Sequence, residues 1–230
     1  MGDLLTYRIP HFVLFSKRTF FHLFQQYHED IWPVQFLFLS LGMVLLFLFV
    51  MDRLHVVLLS ATFFFCWIWI AWFYHYTHYT TINWAAQYFA YAFFLQGAIL
   101  LVSGLAARLR TVTAASRIEK LIAALLVAFS IAGYPLVQLL SGVAWTRLSL
   151  FGATADPTVF ATLVFLAVSR NAFSWFAWII PVLWSIISGA VLWTFDSPYA
   201  LLLPVSAVVL AAYAAFTNAN TAPASRHYPD

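Results

Sequence analysis

The stretch VVLLSATFFFCWIWIAWFY, Val56 to Tyr74, decides the fold. It holds no Asp, Glu, Lys or Arg. At about 1.5 Å per residue its helix reaches about 28 Å, close to the ~30 Å thickness of a bilayer's hydrocarbon. Asp52-Arg53 stops it on one side and His75 on the other. The same pattern recurs outward along the chain, at 33–51, 84–106, 119–141, 157–169, 175–195 and 199–216, each segment bounded by charges, Pro or Gly, or a polar cluster. The 157–169 segment is short, about 20 Å of helix. The predicted fold class is therefore all-α, a polytopic transmembrane helical bundle of seven spans, or six if that segment fails to cross.

Composition agrees. Hydrophobic residues make up 64% of the 230, aromatics 20% and charged residues 8%, and the mean hydropathy is +0.88. A soluble domain carries about a quarter charged residues, so a water-facing surface cannot be assembled from this inventory. The single Cys66 cannot pair within the chain, which sets aside thiolate metal sites, iron–sulfur clusters and redox disulfides. The net charge of +3 rests on Arg and Lys that in a membrane protein set orientation and lipid contact; no nucleic-acid partner is expected. Arg8, Pro10, Lys17 and Arg18 interrupt the N-terminal region before a signal-peptide h-region can form.

Residues 16–27 form an amphipathic segment, with Phe20, Phe21, Leu23, Phe24 and Tyr27 at helical spacing and Ser16 at the N-cap position. Two placements are open: an interfacial helix anchored by Phe20, Phe21, Phe24 and Trp32, or a helix lying across the ends of its own bundle. The organisation is thus an interfacial segment over 1–32, a transmembrane bundle over 33–217 and a polar tail over 218–230. With seven spans, Arg53, Arg108, Arg110, Arg117, Lys120, Arg170 and Arg226 share one face. By the positive-inside rule that face is cytoplasmic, giving N-out and C-in in a bacterial inner membrane. The opposite face gathers His75, His78, Asn83 and Asp156.

The densest aromatic stretch, 63–91, surrounds His75 and His78. As tyrosine and tryptophan prefer the membrane interface, a belt accounts for it. The functional alternative has the two histidines, three apart on one helical face, ligating a metal or pigment or relaying a proton. The metal question stays open. A haem bound within the chain by histidines of facing helices is not expected, since His55 is the other histidine near a span and lies on the same helix. Asn83 is placed to cap the third span, and Gln96, Gln35, Gln138, Ser185 and Ser188 read as interhelical hydrogen bonds. Ser185-x-x-x-Gly189 reads as a close helix crossing. Asp156 or a neighbour caps a helix begun at Pro157. Pro135, Pro181 and Pro204 fall inside spans. Neither Lys17 nor Lys120 lies in the last span, so retinal is not expected, and no nucleotide loop, H-E-x-x-H pair or G-x-S-x-G elbow is present.

Several short motifs together resemble an uncharacterised bacterial family of multi-span membrane proteins known only as a domain of unknown function. They are Trp32-Pro33-x-Gln35, Tyr74-His75, Ile82-Asn83 with Gln96, Gly133-Tyr134-Pro135, Phe151-Gly152 with Asp156-Pro157-Thr158, and Ile180-Pro181-x-x-Trp184. The resemblance implies a helical bundle of six or seven spans and transfers no activity, substrate or cofactor. Two functions are expected. The first is a non-catalytic subunit packed with other membrane protein subunits in a larger complex, bioenergetic assemblies included. The alternative is a small-molecule or ion transporter or channel with its polar site near His75, Asn83, Gln96 and Asp156. No catalytic residues are assigned, and an enzyme is the less expected outcome.

Overall fold

The structure, a computed structural model, describes residues 15–107, 110–114, 116–169 and 173–221. Within them the chain is helical, and β pairing is confined to one isolated bridge between His55 and Thr111. Of the expected polar tail, 218–230, the first four residues continue the last helix and residues 222–230 lie outside the described residues, as do Arg8, Arg108 and Arg170.

Helix α1, Lys17–Asp30, starts at Ser16, whose Oγ accepts from the Thr19 N–H at 3.1 Å. It meets α2, Val34–Val50, at a bend of 87°. Helix α3, Val56–Trp69, runs on through a π-helical segment, Ile70–His78, and a short 3₁₀ turn to Thr81. Helix α4 spans Ala86–Ala106. Helix α5, Arg117–Ala128, passes through a second π-helical segment, Phe129–Gly133, into α6, Tyr134–Leu140. Helices α7, Ala155–Val168, α8, Phe176–Thr194, and α9, Leu202–Thr221, complete the order.

Among the described residues, four helices are long and apolar enough to cross a membrane: Val56–Thr81, Ala86–Ala106, Arg117–Leu140 and Phe176–Thr194. Counting the bent α1–α2 pair as one makes five. Length and apolarity alone thus give four or five crossing helices, against the seven, or six, spans expected from the sequence. Helix α7 accounts for much of the difference, because it has 14 residues and every one except Asp156 is buried by its neighbours. A helix that is hydrophobic all round is a core helix, and α7 spends its apolar surface on protein. Thr162 accepts from the Trp67 indole at 3.1 Å, and Phe165 meets Phe49 and Phe63 edge-on. Helix α9 is also short where described, its apolar part ending at Asn218.

The bundle has two distinct ends. At one, Lys17 Nζ donates to the Phe195 carbonyl at 2.8 Å, Tyr27 Oη donates to the Ala153 carbonyl, and His78 Nε2 lies 2.9 Å from Asp30 Oδ2. At the other, Lys120 Nζ reaches Asp52 Oδ2 at 2.6 Å, Tyr213 Oη donates to Glu119 at 2.7 Å, and Val112 N–H donates to Leu54. Helix α1 packs against the first of these ends through Lys17, Tyr27 and Asp30.

Candidate functional site

Three helices frame the candidate site: two are interrupted by the π-helical segments Ile70–His78 and Phe129–Gly133, and α8 carries Pro181 within it. Such breaks are frequent where a helix must present side chains off its regular period. Just past the second break comes Tyr134. Trp184 and Ser188, one helical turn apart, share a face of α8.

All three point at Asp156. Tyr134 Oη donates to Oδ2 at 3.0 Å, Trp184 Nε1 donates to Oδ1 at 2.9 Å, and Ser188 Oγ sits 2.8 and 2.9 Å from the two carboxylate oxygens. The carboxylate also occupies the first turn of α7, where the helix dipole favours negative charge. The sequence pattern assigns the cap to Asp156 or a neighbour; Asp156 itself lies inside the first turn. The cap position is Thr154, and the turn before it is closed by Thr158, whose Oγ accepts from Gly152 N–H at 2.8 Å while donating to the Thr154 carbonyl. Gly152 sits at φ 75°, a left-handed conformation suited to glycine.

Beside Asp156 lies a cavity of about 30 Å³, walled by Tyr74, Tyr79, Gln138, Ser188 and Tyr199 and roofed by Phe20, Phe21 and Phe24 of α1. That is room for one or two waters and for nothing drug-sized. Tyr199 Oη is buried with no hydrogen-bond partner among the described residues. A wider vestibule of about 230 Å³ opens outward from it, sharing Phe21, Arg147 and Tyr199 with the cavity and adding Lys17, Ser141 and Ser197.

His75 is fully buried behind the same cluster. Its ring stands edge-on to Trp184, with centroids 4.9 Å apart, and to Phe93 at 4.5 Å, and neither nitrogen has a hydrogen-bond partner. An N–H against an aromatic face is a weak compensating contact. Trp184 thus touches His75 with its ring and Asp156 with its N–H. The other expected site residues are elsewhere. His78 does not share a face with His75, because the wider π-helical winding turns it out to Asp30 and to the Phe73 carbonyl at 2.6 Å. Asn83 accepts from the Ala85 N–H at 3.0 Å in the turn leading into α4. Gln96 donates to the Ala177 carbonyl at 2.9 Å, joining α4 to α8. Among the described residues, no group of three His, Cys, Asp or Glu side chains gathers where it could hold a metal ion. Trp32, named as an anchor, is 62% exposed, whereas Phe24 packs against Tyr74 and Phe20 against Tyr79 and Phe195.

Tyr134 and Trp184 entered the sequence reading only as members of the motifs Gly133-Tyr134-Pro135 and Ile180-Pro181-x-x-Trp184, with no role at a site, and Tyr199 was not singled out.

An all-helical protein with several helices of membrane-crossing length and apolarity, built around a partly buried, multiply hydrogen-bonded carboxylate, is the class that fold and site define. Within it, the chain belongs to a family of unknown function, DUF6064, whose model matches residues 17–226. No curated protein and no solved structure matches the chain.

Proposed function

We propose that this is an integral protein of the bacterial inner membrane whose Asp156 centre relays protons from the α1 end. The enclosed carboxylate beside a water-sized cavity carries the reading. Size excludes organic solutes from that cavity, and Lys17 and Arg147 in the vestibule repel free metal cations. A proton, by contrast, moves along groups that both give and take hydrogen, and Tyr134, Ser188, Tyr199 and Asp156 are such groups. Ionisable side chains buried among membrane helices typically serve such routes. Seven crossings support the proposed topology, with α7 as the short one: α1 and the end of α8 share one end, and α9 carries Tyr213 to the other. N-out and C-in places the α1 end outside.

The test is proton entry into proteoliposomes carrying an internal pH-sensitive dye under an imposed potential. The reading requires entry faster than in protein-free vesicles. Equal rates defeat it. Membership of a larger membrane complex as a non-catalytic subunit is the second reading. The exposed ridge Ile118, Leu121, Ile122 and Leu125 of α5 offers a partner helix a surface, and co-purification from native membrane tests it.

A further inference from the structure

Outside the α1–α2 corner lies a groove of about 510 Å³, lined by His28, Glu29, Trp32, Gln35, Phe36 and Trp145 among others. This falls within the ~300–1,000 Å³ range of small-molecule sites, so its occupant differs in kind from anything the Asp156 cavity admits. Beside the Thr146 hydroxyl and the Trp32 and Trp145 indoles, its polar side chains offer acceptors at Gln35, His28 and Glu29. Gln35 Nε2 donates to the His28 carbonyl at 2.6 Å, which leaves Gln35 Oε1 buried without a partner. His28 Nε2 is buried and unpartnered too, and the two residues are only 8% and 5% exposed. Burial pushes the His28 imidazole down to about 4, so the ring is uncharged at neutral pH. The Glu29 carboxylate takes the Gln25 amide at 3.0 Å, and Arg147 reaches only the other side of that amide, at 3.0 Å. Among the described residues, no Lys or Arg lines the groove.

The backbone has the same polarity. Glu29 and Asp30 occupy the last turn of α1, where the helix dipole favours a cation. Trp32 and Trp145 stand 62% and 75% exposed beside it, offering faces that attract cations and that settle at the membrane interface. Phe36 and Leu39 continue the groove down the apolar side of α2.

We propose that this groove binds the primary ammonium headgroup of an aminophospholipid, with Glu29, Gln35 Oε1 and His28 Nε2 accepting its N–H groups and its chains lying along Phe36 and Leu39. Unpaired acceptors need a donor, which a quaternary ammonium lacks. The inference rests on the membrane reading, not on the proton relay.

The experiment titrates delipidated protein in mild detergent with phosphatidylethanolamine, phosphatidylcholine and phosphatidylglycerol, and with tail-free phosphoethanolamine. Phosphatidylethanolamine should bind about tenfold tighter than phosphatidylcholine, the ratio expected from one charge-assisted hydrogen bond. Glu29→Gln should weaken it by a similar factor with the melting temperature unchanged, since Glu29 is exposed, and Trp145→Leu should weaken it several-fold. Equal binding of the three lipids, a preference for phosphatidylglycerol, or full binding by both variants overturns the assignment. Phosphoethanolamine binding as tightly as the lipid overturns its lipid part. A protein recovered in the soluble fraction without detergent would fail the membrane reading instead.

Discussion

Asp156 places one carboxylate where α6, α7 and α8 meet, and each of its donors comes from a different turn or helix. Removing a donor from a buried charged group costs about 1.5–3 kcal/mol. Ser188→Ala should therefore lower the melting temperature in detergent clearly more than Ser206→Ala, whose hydroxyl bonds only its own helix at Leu202. His75 behaves differently, because its nitrogens have no partners to lose. His75→Ala should lower the melting temperature by opening a void among Phe93, Trp184 and Tyr79. His75→Phe should restore most of the loss, since an apolar ring of similar reach suits an aromatic nest. Failure of phenylalanine to recover stability would mean that the imidazole nitrogens hold a partner. At this scale the sequence was half legible. Asp156 and His75 stood out as polar residues in apolar surroundings, but Tyr134, Trp184 and Tyr199 converge from three separate elements, and no local spacing announces such a meeting.

Element boundaries follow from sequence where caps and charges mark them, as at Ser16 and at Asp52-Arg53. Period-based reading fails at the two π-helical segments, because a 3.6-residue repeat puts His75 and His78 on one face and the i→i+5 turn separates them. It fails again at α7, where apolar composition signals burial without saying whether lipid or protein does the burying. The Ser185-x-x-x-Gly189 pattern was more faithful: Gly189 packs on Pro204 and the Ala200 carbonyl of the α9 entrance, with no room for a Cβ. Gly189→Val should force α8 and α9 apart and cost about 1–3 kcal/mol, measured as a melting shift larger than that of Ala212→Val at an exposed helical position of α9. Equal shifts would show that the crossing is loose.

For the whole molecule, four or five helices of membrane-crossing length and apolarity are compatible with a bilayer, and the proposed direction rests on a modest excess of basic residues expected on one face. Single cysteines at Thr80 and Thr113, introduced after replacing Cys66, probe the two ends. An impermeant thiol reagent on intact cells should label Thr80→Cys and spare Thr113→Cys; the reverse pattern inverts the topology. Proton relay through Asp156 is tested most directly by comparing wild type with Asp156→Asn in proteoliposomes, with the melting temperature of each measured in the same preparation. Asparagine keeps the side chain's size while removing the charge and the titratable proton. The account predicts that proton entry falls to the protein-free rate while the variant still melts cooperatively, at a lowered temperature. Undiminished entry through a folded Asp156→Asn protein would contradict it.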